Sequence, residues 1–222
     1  MLGLLVSAVR RTSLRNSESL HDMDWTRLVR MSVDPPPFLG SDRPHAAVVY
    51  AGVHGSTRSI AAYLAARLAD RGIEAEALPA EAVGDPSGYD VFVVGSAVHD
   101  MAWLPQALAF VQANAALLAE RDVWLFSVGM PAALRGPWRG LVAKEESHVI
   151  GGLADRLRPC GHCLFSGVIE PEHLTRAGRM KFQAMGLRYG DYRDWPAIDA
   201  WAQEISEDIE RRRHEKAGWT PS

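Results

Sequence analysis

The chain has 222 residues, 47% of them hydrophobic and 23% charged, with a formal net charge of −3. That composition is globular and sufficient for one ordinary core. It carries no basic excess, so no nucleic-acid partner is expected. No apolar stretch approaches the ~18–20 residues of a membrane span. The 2 cysteines are too few for a disulfide-built fold.

Residues 1–44 read as an N-terminal extension. Met1 to Val9 is apolar but short, and it lacks the basic start of a secretory signal. Ser13 to Asp42 is polar and broken by Pro35-Pro36-Pro37. A loosely ordered arm is expected, with one helical turn around Trp25–Val29. A start assigned too far upstream, with Met31 as the true one, would give the same text. The folded domain is expected over residues 45–212, with 213–222 as a C-terminal tail.

Ala46-Ala47-Val48-Val49-Tyr50-Ala51 is a continuous apolar run with a turn signal behind it, as in a strand buried on both faces. The loop Gly52-Val53-His54-Gly55 follows, and a helix begins near Ser56. Ile60, Leu64 and Leu68 give that helix an apolar face, Gly72 closes it, and Ser56 or Thr57 is suited to cap it. Such a turn aims backbone N–H groups, hydroxyls and a helix N-terminus at one spot, which suits a phosphate. No Lys-Ser/Thr pair follows the glycines, and the G-x-G-x-x-G spacing is missing. An ordinary loop of small residues would read the same way.

Further along, Glu74–Leu78 is a weak edge strand and Tyr89–Ser96 a buried one. Leu104–Glu120 is a helix with Leu104, Leu108, Val111, Ala115 and Leu118 on one face. Val123–Ser127 is a buried strand, and Leu141–Leu157 is helical towards its end. Cys163–Ile169 is the last strand. Trp195–Arg211 closes the domain as a helix, with Ile198, Trp201, Ala202, Ile205 and Ile209 facing inward. Strands alternating with helices predict an α/β fold, a doubly wound five-stranded parallel sheet. Its ligands belong outside the carboxyl ends of the strands, where the strand order reverses.

Two more loops lie at that edge. Gly95-Ser96-Ala97-Val98-His99 leads to Trp103, and Ser127-Val128-Gly129 leads to Met130. Small residues allow close approach to a flat ring, and aromatic groups stack on it. Met101, Met130 and Pro131 read either as an apolar wall there or as gap-filling core.

The chain resembles the flavodoxin-like proteins, most of all the branch of menaquinone-dependent protoporphyrinogen oxidases and their bacterial relatives. The resemblance runs from Ala46 to Glu210. It is carried by Tyr50-Ala51-x-x-His54-Gly55-Ser56-Thr57-Arg58, by Gly95-Ser96-Ala97-Val98 with Trp103-Leu104, and by Trp124-Leu125-Phe126-Ser127. Phe165-Ser166-Gly167 and Gly190-Asp191-Tyr192-Arg193-Asp194-Trp195 complete it. It implies an FMN-binding redox protein. By position, Gly55, Ser56 and Thr57 would hold the phosphate. Ser96, Ala97, Val98 and His99 would line one side of the ring, with Trp103 nearby, and Ser127, Val128 and Gly129 the other. Where relatives place a hydroxyl residue in the phosphate loop this chain has Gly52, and His54 stands in as a donor. His99 stands where relatives often have Tyr. No acid–base residue is nominated, because in flavin proteins the ring carries the chemistry.

The expected activity is oxidoreduction of the protoporphyrinogen-oxidase type with a quinone acceptor. A pure electron carrier, or a binding module that has lost FMN, are the alternatives. The expected partners are a redox protein or a small molecule such as a porphyrinogen or a quinone. The expected location is cytoplasmic, with peripheral membrane contact and a homo-oligomer left open.

Cys160-Gly161-His162-Cys163 spells a dithiol motif, but it follows a helix instead of opening one. A turn with one buried thiol, Cys163, is the plainer reading, and the spacing permits a disulfide. His45, His148 and His162 show no metal-ligand spacing, and no metal is expected. Arg176, Arg179, Met180 and Phe182 belong either to a substrate face or to a long connection. Trp138 reads as a packed residue or a membrane contact.

Overall fold

The computed structural model describes residues 43–100, 102–130, 152–153, 157–184 and 186–216. The N-terminal arm with its helical turn, Met101, Pro131, Trp138, His148 and most of Leu141–Leu157 lie outside the described residues.

Strand β1 (His45–Ala51) leads into helix α1 (Ser56–Ala69) and returns through β2 (Glu74–Pro79). Strand β3 (Val91–His99) folds back on the short β4 (Ala102–Trp103), and helices α2 (Pro105–Ala113) and α3 (Ala115–Ala119) follow. Then come β5 (Asp122–Gly129), β6 (Gly161–Ser166), β7 (Val168–Ile169), α4 (Arg176–Ala184), β8 (Gly190–Asp191) and α5 (Trp195–Lys216). The main sheet has the order β2-β1-β3-β5-β6, and these five strands pair in parallel. Strand β4 pairs antiparallel with β3, and β7 with β8. The order reverses between β1 and β3, so the switch point lies at their carboxyl ends.

Period-two alternation explains the two cores. From β1, Ala46 and Val48 face the side covered by α1 and α5, while Ala47, Val49 and Ala51 face the side covered by α2 and α3. Val93 and Phe126 join Ile60, Leu64, Leu68, Trp201 and Ile205 on the first side. Phe92, Val94 and Leu125 join Phe110, Val111 and Leu118 on the second. Both faces of the central strands are dry, which is why their sequences read as unbroken apolar runs.

The helix expected from Leu104 to Glu120 is broken at Asn114, which sits at φ −111° and ψ 17° between α2 and α3. Its side-chain amide donates to the Phe110 carbonyl at 2.9 Å, the same oxygen that accepts the Asn114 backbone N–H at 3.1 Å. The inward face of α2 is Ala107, Phe110 and Val111, at i, i+3 and i+4. Leu108 lies one step round the helix from that face and is exposed, contrary to the expected stripe. The last strand is split at Gly167: β6 stays in the main sheet, and β7 leaves it to pair with β8. Helix α5 runs on to Lys216, where Lys216 and Arg212 reach Asp122 at 2.9 and 3.5 Å.

Candidate functional site

The loop after β1 is built by backbone geometry. Gly55 takes a left-handed conformation, φ 88° and ψ −20°, and stands at the N-cap position of α1. That conformation favours glycine. Neither Ser56 nor Thr57 is the cap, and no side chain caps the helix among the described residues. The first helical bond there is Ser59 N–H to the Gly55 carbonyl at 2.9 Å. The N–H groups of Ser56, Thr57 and Arg58 come before it and mark the positive end of the helix dipole. Thr57 is buried and packs towards Gly52: a Cβ added at Gly52 would lie 2.7 Å from Thr57 Cβ. Gly52 therefore gives Thr57 its room.

The loops after β3 and β5 are locked together beneath the surface. Ser96 is fully buried; its hydroxyl donates to the Ala97 carbonyl at 2.8 Å and accepts from Leu104 N–H at 2.9 Å. Trp103, also buried, donates from Nε1 to Ser127 Oγ at 2.8 Å, and the same oxygen meets His162 Nε2 at 3.1 Å. Val128 is buried, Ala97, Val98 and Gly129 are half-buried, and His99 is exposed. The carboxyl edge thus brings together all the sequence-nominated residues of these loops. Ser96, Trp103 and Ser127 commit their polar groups to one another and to the backbone. Ala97, Val98, His99 and Gly129 form the accessible part.

His54 links the first two loops. Its ring stacks on His173 at 4.1 Å and tilts against His99 at 6.3 Å. Partial burial, then His173 and His99, hold its pKa below the ordinary value, against an opposing pull from Glu170. His54 therefore acts near neutral pH as an uncharged ring, so the donor it offers is a neutral N–H.

A cavity of about 540 Å³ opens beside the start of α1. Its wall joins His54, Gly55, Ser56 and Ser59 to Glu170 and His173, and to Tyr189, Asp191 and Arg193. Arg193 crosses it. Its guanidinium grips the Asp191 carboxylate through Nε at 2.9 Å and Nη2 at 2.6 Å, and donates through Nη1 to Ser59 Oγ at 2.7 Å. It also lies over the Trp195 ring, 4.8 Å from the centroid. This pairing holds the Asp191 carboxyl below the usual carboxylate range and raises Arg193. The Ser59 hydroxyl itself donates a hydrogen bond to the Ser56 carbonyl at 2.8 Å. Gly167 packs closely against Ser56: a Cβ there would come within 3.1 Å of Ser56 Oγ and Val128 Cγ1. Sequence reasoning nominated none of Ser59, His173, Tyr189 or Arg193. The one local signal was the Asp191-x-Arg193 spacing, which sets a carboxylate and a guanidinium two residues apart.

The segment around α4 packs on its own small core, with Phe182 buried against Ile169 and Leu187, and Met180 exposed. Cys160 precedes β6 and Cys163 lies within it; neither forms a disulfide, and both are half-buried, so Cys163 is less buried than expected. Burial holds the Cys160 thiol above its ordinary pKa, the opposite of an activated dithiol. Among the described residues, no group of side chains is arranged to hold a metal ion, and no helix is long and apolar enough to cross a membrane.

The family model described as flavodoxin domain matches residues 47–189. Among solved structures, rubredoxin oxygen:oxidoreductase from Desulfovibrio gigas is similar at 14% identity and a TM-score of 0.50. The likeness covers 76% of this chain and 37% of that one, so the chain spans little more than a third of the oxidoreductase. A flavodoxin from the domain Archaea is similar at 14% identity and a TM-score of 0.44, over 75% of this chain and 99% of that one. A flavodoxin of Streptococcus pneumoniae TIGR4 is similar at 13% identity and a TM-score of 0.45, over 76% and 99%. No curated protein matches the chain in sequence.

Proposed function

Since the chain belongs to the flavodoxin-domain family, we propose that it binds FMN at the carboxyl edge of β1, β3 and β5 and works as a redox protein. When bound, FMN supplies one- and two-electron chemistry; the protein supplies its seat and its access. The observation that carries this reading is the uncapped start of α1 behind the left-handed Gly55, at the switch point of the sheet. A backbone cradle of free N–H groups is the chemistry a phosphate monoester needs.

Gly55, Ser56 and Thr57 hold the phosphate in this reading, with His54 beside it. Ala97, Val98 and His99 line one side of the ring, and Val128 and Gly129 the other. The Trp103–Ser127 hydrogen bond fixes the spacing of those two walls, and Ser96 ties its own loop together through the Ala97 carbonyl and Leu104 N–H. The resemblance in motif order supports the finer reading, oxidation of a porphyrinogen-type substrate with a quinone as acceptor. A cytoplasmic location with peripheral contact to the quinone-bearing membrane fits that acceptor.

FMN titration followed by flavin fluorescence quenching tests the cofactor, and turnover with a porphyrinogen and a quinone tests the activity. Saturable binding at micromolar concentration or below is expected. The absence of any flavin binding would leave a flavodoxin-fold binding module, and redox cycling without substrate oxidation an electron carrier. Thr57→Val is the local control. It keeps the shape that packs against Gly52 and removes one hydroxyl. Loss of a hydrogen bond to a charged phosphate corresponds to about tenfold weaker binding or more. Unchanged affinity would remove Thr57 from the phosphate site.

A further inference from the structure

Among the residues that line the cavity beside α1, Tyr189 carries a buried hydroxyl that the fold leaves without a partner. The hydroxyl of Tyr189 is buried and has no hydrogen-bond partner among the described residues. Its ring stacks on Phe182, 4.8 Å between centroids, and the residue lines the same cavity as Ser56 and Arg193. A phenol buried without a partner costs about 1–3 kcal/mol. An aromatic residue placed for packing alone would avoid that cost as phenylalanine.

Of the two carboxylates in the cavity wall, one is paired with a guanidinium and the other with an imidazole that carries charge only when protonated. Asp191 is held by Arg193, and Glu170 lies 3.4 Å from His173. Arg193 has five N–H donors. One each on Nε, Nη1 and Nη2 is engaged by Asp191 and Ser59, which leaves one on each Nη spare among these contacts. Ser59 is saturated as a donor by the Ser56 carbonyl. The unengaged donors on the residues lining this cavity are therefore the Tyr189 phenol, the spare Arg193 N–H groups, the Ser56 hydroxyl and the backbone at the start of α1. Each can donate, the guanidinium and the backbone N–H groups can only donate, and acceptor-only oxygens satisfy such a set.

We infer that Tyr189 and Arg193 complete the phosphate seat, so that the FMN phosphate is gripped from two sides: by the first loop, and by the segment around β8. This inference rests on the FMN reading and extends it to residues more than a hundred positions from the phosphate loop. The Arg193–Asp191 pair presents the guanidinium edge without a full net charge. The grip is therefore directional, a matter of hydrogen bonds more than of bulk attraction.

The test compares FMN with riboflavin, which lacks the phosphate, on wild type, Tyr189→Phe and Arg193→Lys. Kd values come from fluorescence quenching, and the thermal stability of the flavin-free proteins is read in parallel. Tyr189→Phe is expected to weaken FMN about tenfold or more, the loss of one hydrogen bond to a charged group. Riboflavin binding should stay within twofold, and the flavin-free protein should melt no lower than wild type. Arg193→Lys keeps the charge but loses the fork, and is expected to lower FMN affinity in the same selective way. If wild type binds FMN and Tyr189→Phe binds it equally well while melting higher, the phenol is an unused orphan and the inference is overturned, with the FMN reading intact. An equal loss for FMN and riboflavin would also overturn it, because the effect would then not pass through the phosphate. If wild type binds neither flavin, both the inference and the reading beneath it fall.

Discussion

Gly52 and Thr57 are complementary in shape: the space a side chain would need at position 52 is taken by Thr57, whose Cβ would lie 2.7 Å and Oγ1 2.8 Å from an added Cβ. Placing a hydroxyl residue at position 52 is therefore not a gain in this chain. Gly52→Ser is expected to destabilise the protein by about 1–3 kcal/mol, the usual range for overpacking, and to leave FMN affinity no better than wild type. Urea denaturation and FMN titration of the variant check both halves. A tighter, equally stable variant would mean that Thr57 moves freely.

Gly95 stands under the ring of Phe126 in the neighbouring strand, and an added Cβ would fall 2.0 Å from Phe126 Cζ. Both residues lie in the sheet interior, so neither ring nor strand has anywhere to go. Gly95→Ala is expected to cost about 3 kcal/mol, the upper part of the overpacking range. Phe126→Leu in the same chain should recover part of that loss. A double-mutant cycle measures the coupling. Purely additive losses would show that the clash is relieved elsewhere.

Trp103 Nε1 and Ser127 Oγ join the loops after β3 and β5. Trp103→Phe removes the donor, keeps most of the apolar bulk and leaves Ser127 with His162 alone. A loss of about 0.5–1.5 kcal/mol is expected, the net worth of one hydrogen bond whose acceptor keeps another partner. Flavin affinity should fall for FMN and riboflavin alike, since both rings use the same walls. Selective loss of FMN would contradict the assignment of Trp103 to the ring side.

His54 gives the site a pH dependence with a defined sign. Its folded pKa lies below the ordinary 6.5 because of partial burial and its neighbours His173 and His99. The unfolded chain therefore takes up the proton first. The contribution is fully present above pH 6.5, declines as pH falls below that value towards the folded pKa, and then levels off. His54→Gln should lose less melting temperature than wild type between about pH 7.5 and pH 5.5. Parallel curves for the two proteins would show that the ring senses nothing of its neighbours.

The central strands are legible in the sequence because they are dry on both faces. Val48-Val49, Val91-Phe92-Val93-Val94 and Val123-Trp124-Leu125-Phe126 admit no other placement, and they bring the three loops to one edge. The break at Asn114 was not legible, since it depends on a side chain choosing the Phe110 carbonyl over solvent. Nor was the division of labour between hydroxyls. Ser96 and Ser127 sit at strand ends as a ligand-binding serine would, yet their partners Leu104 and Trp103 are fixed only by the β3–β4 turn, where Asp100 adopts a positive φ of 47°. The wall formed by Tyr189 and Arg193 was out of reach for a simpler reason. Nothing local in the sequence says which loop a residue after the last strand will face.

The hydrogen bond from Arg193 to Ser59 spans 134 positions of the chain. A chain leaves the ribosome from its N-terminus at about 5–20 residues per second. The first loop therefore emerges roughly 7–27 seconds before the residue that closes over it. During that interval the nascent protein carries an open cradle with no opposing wall. If Arg193 closes the phosphate seat as inferred, full cofactor affinity waits for that residue to emerge, and a chain interrupted before Arg193 would lack its bond to Ser59.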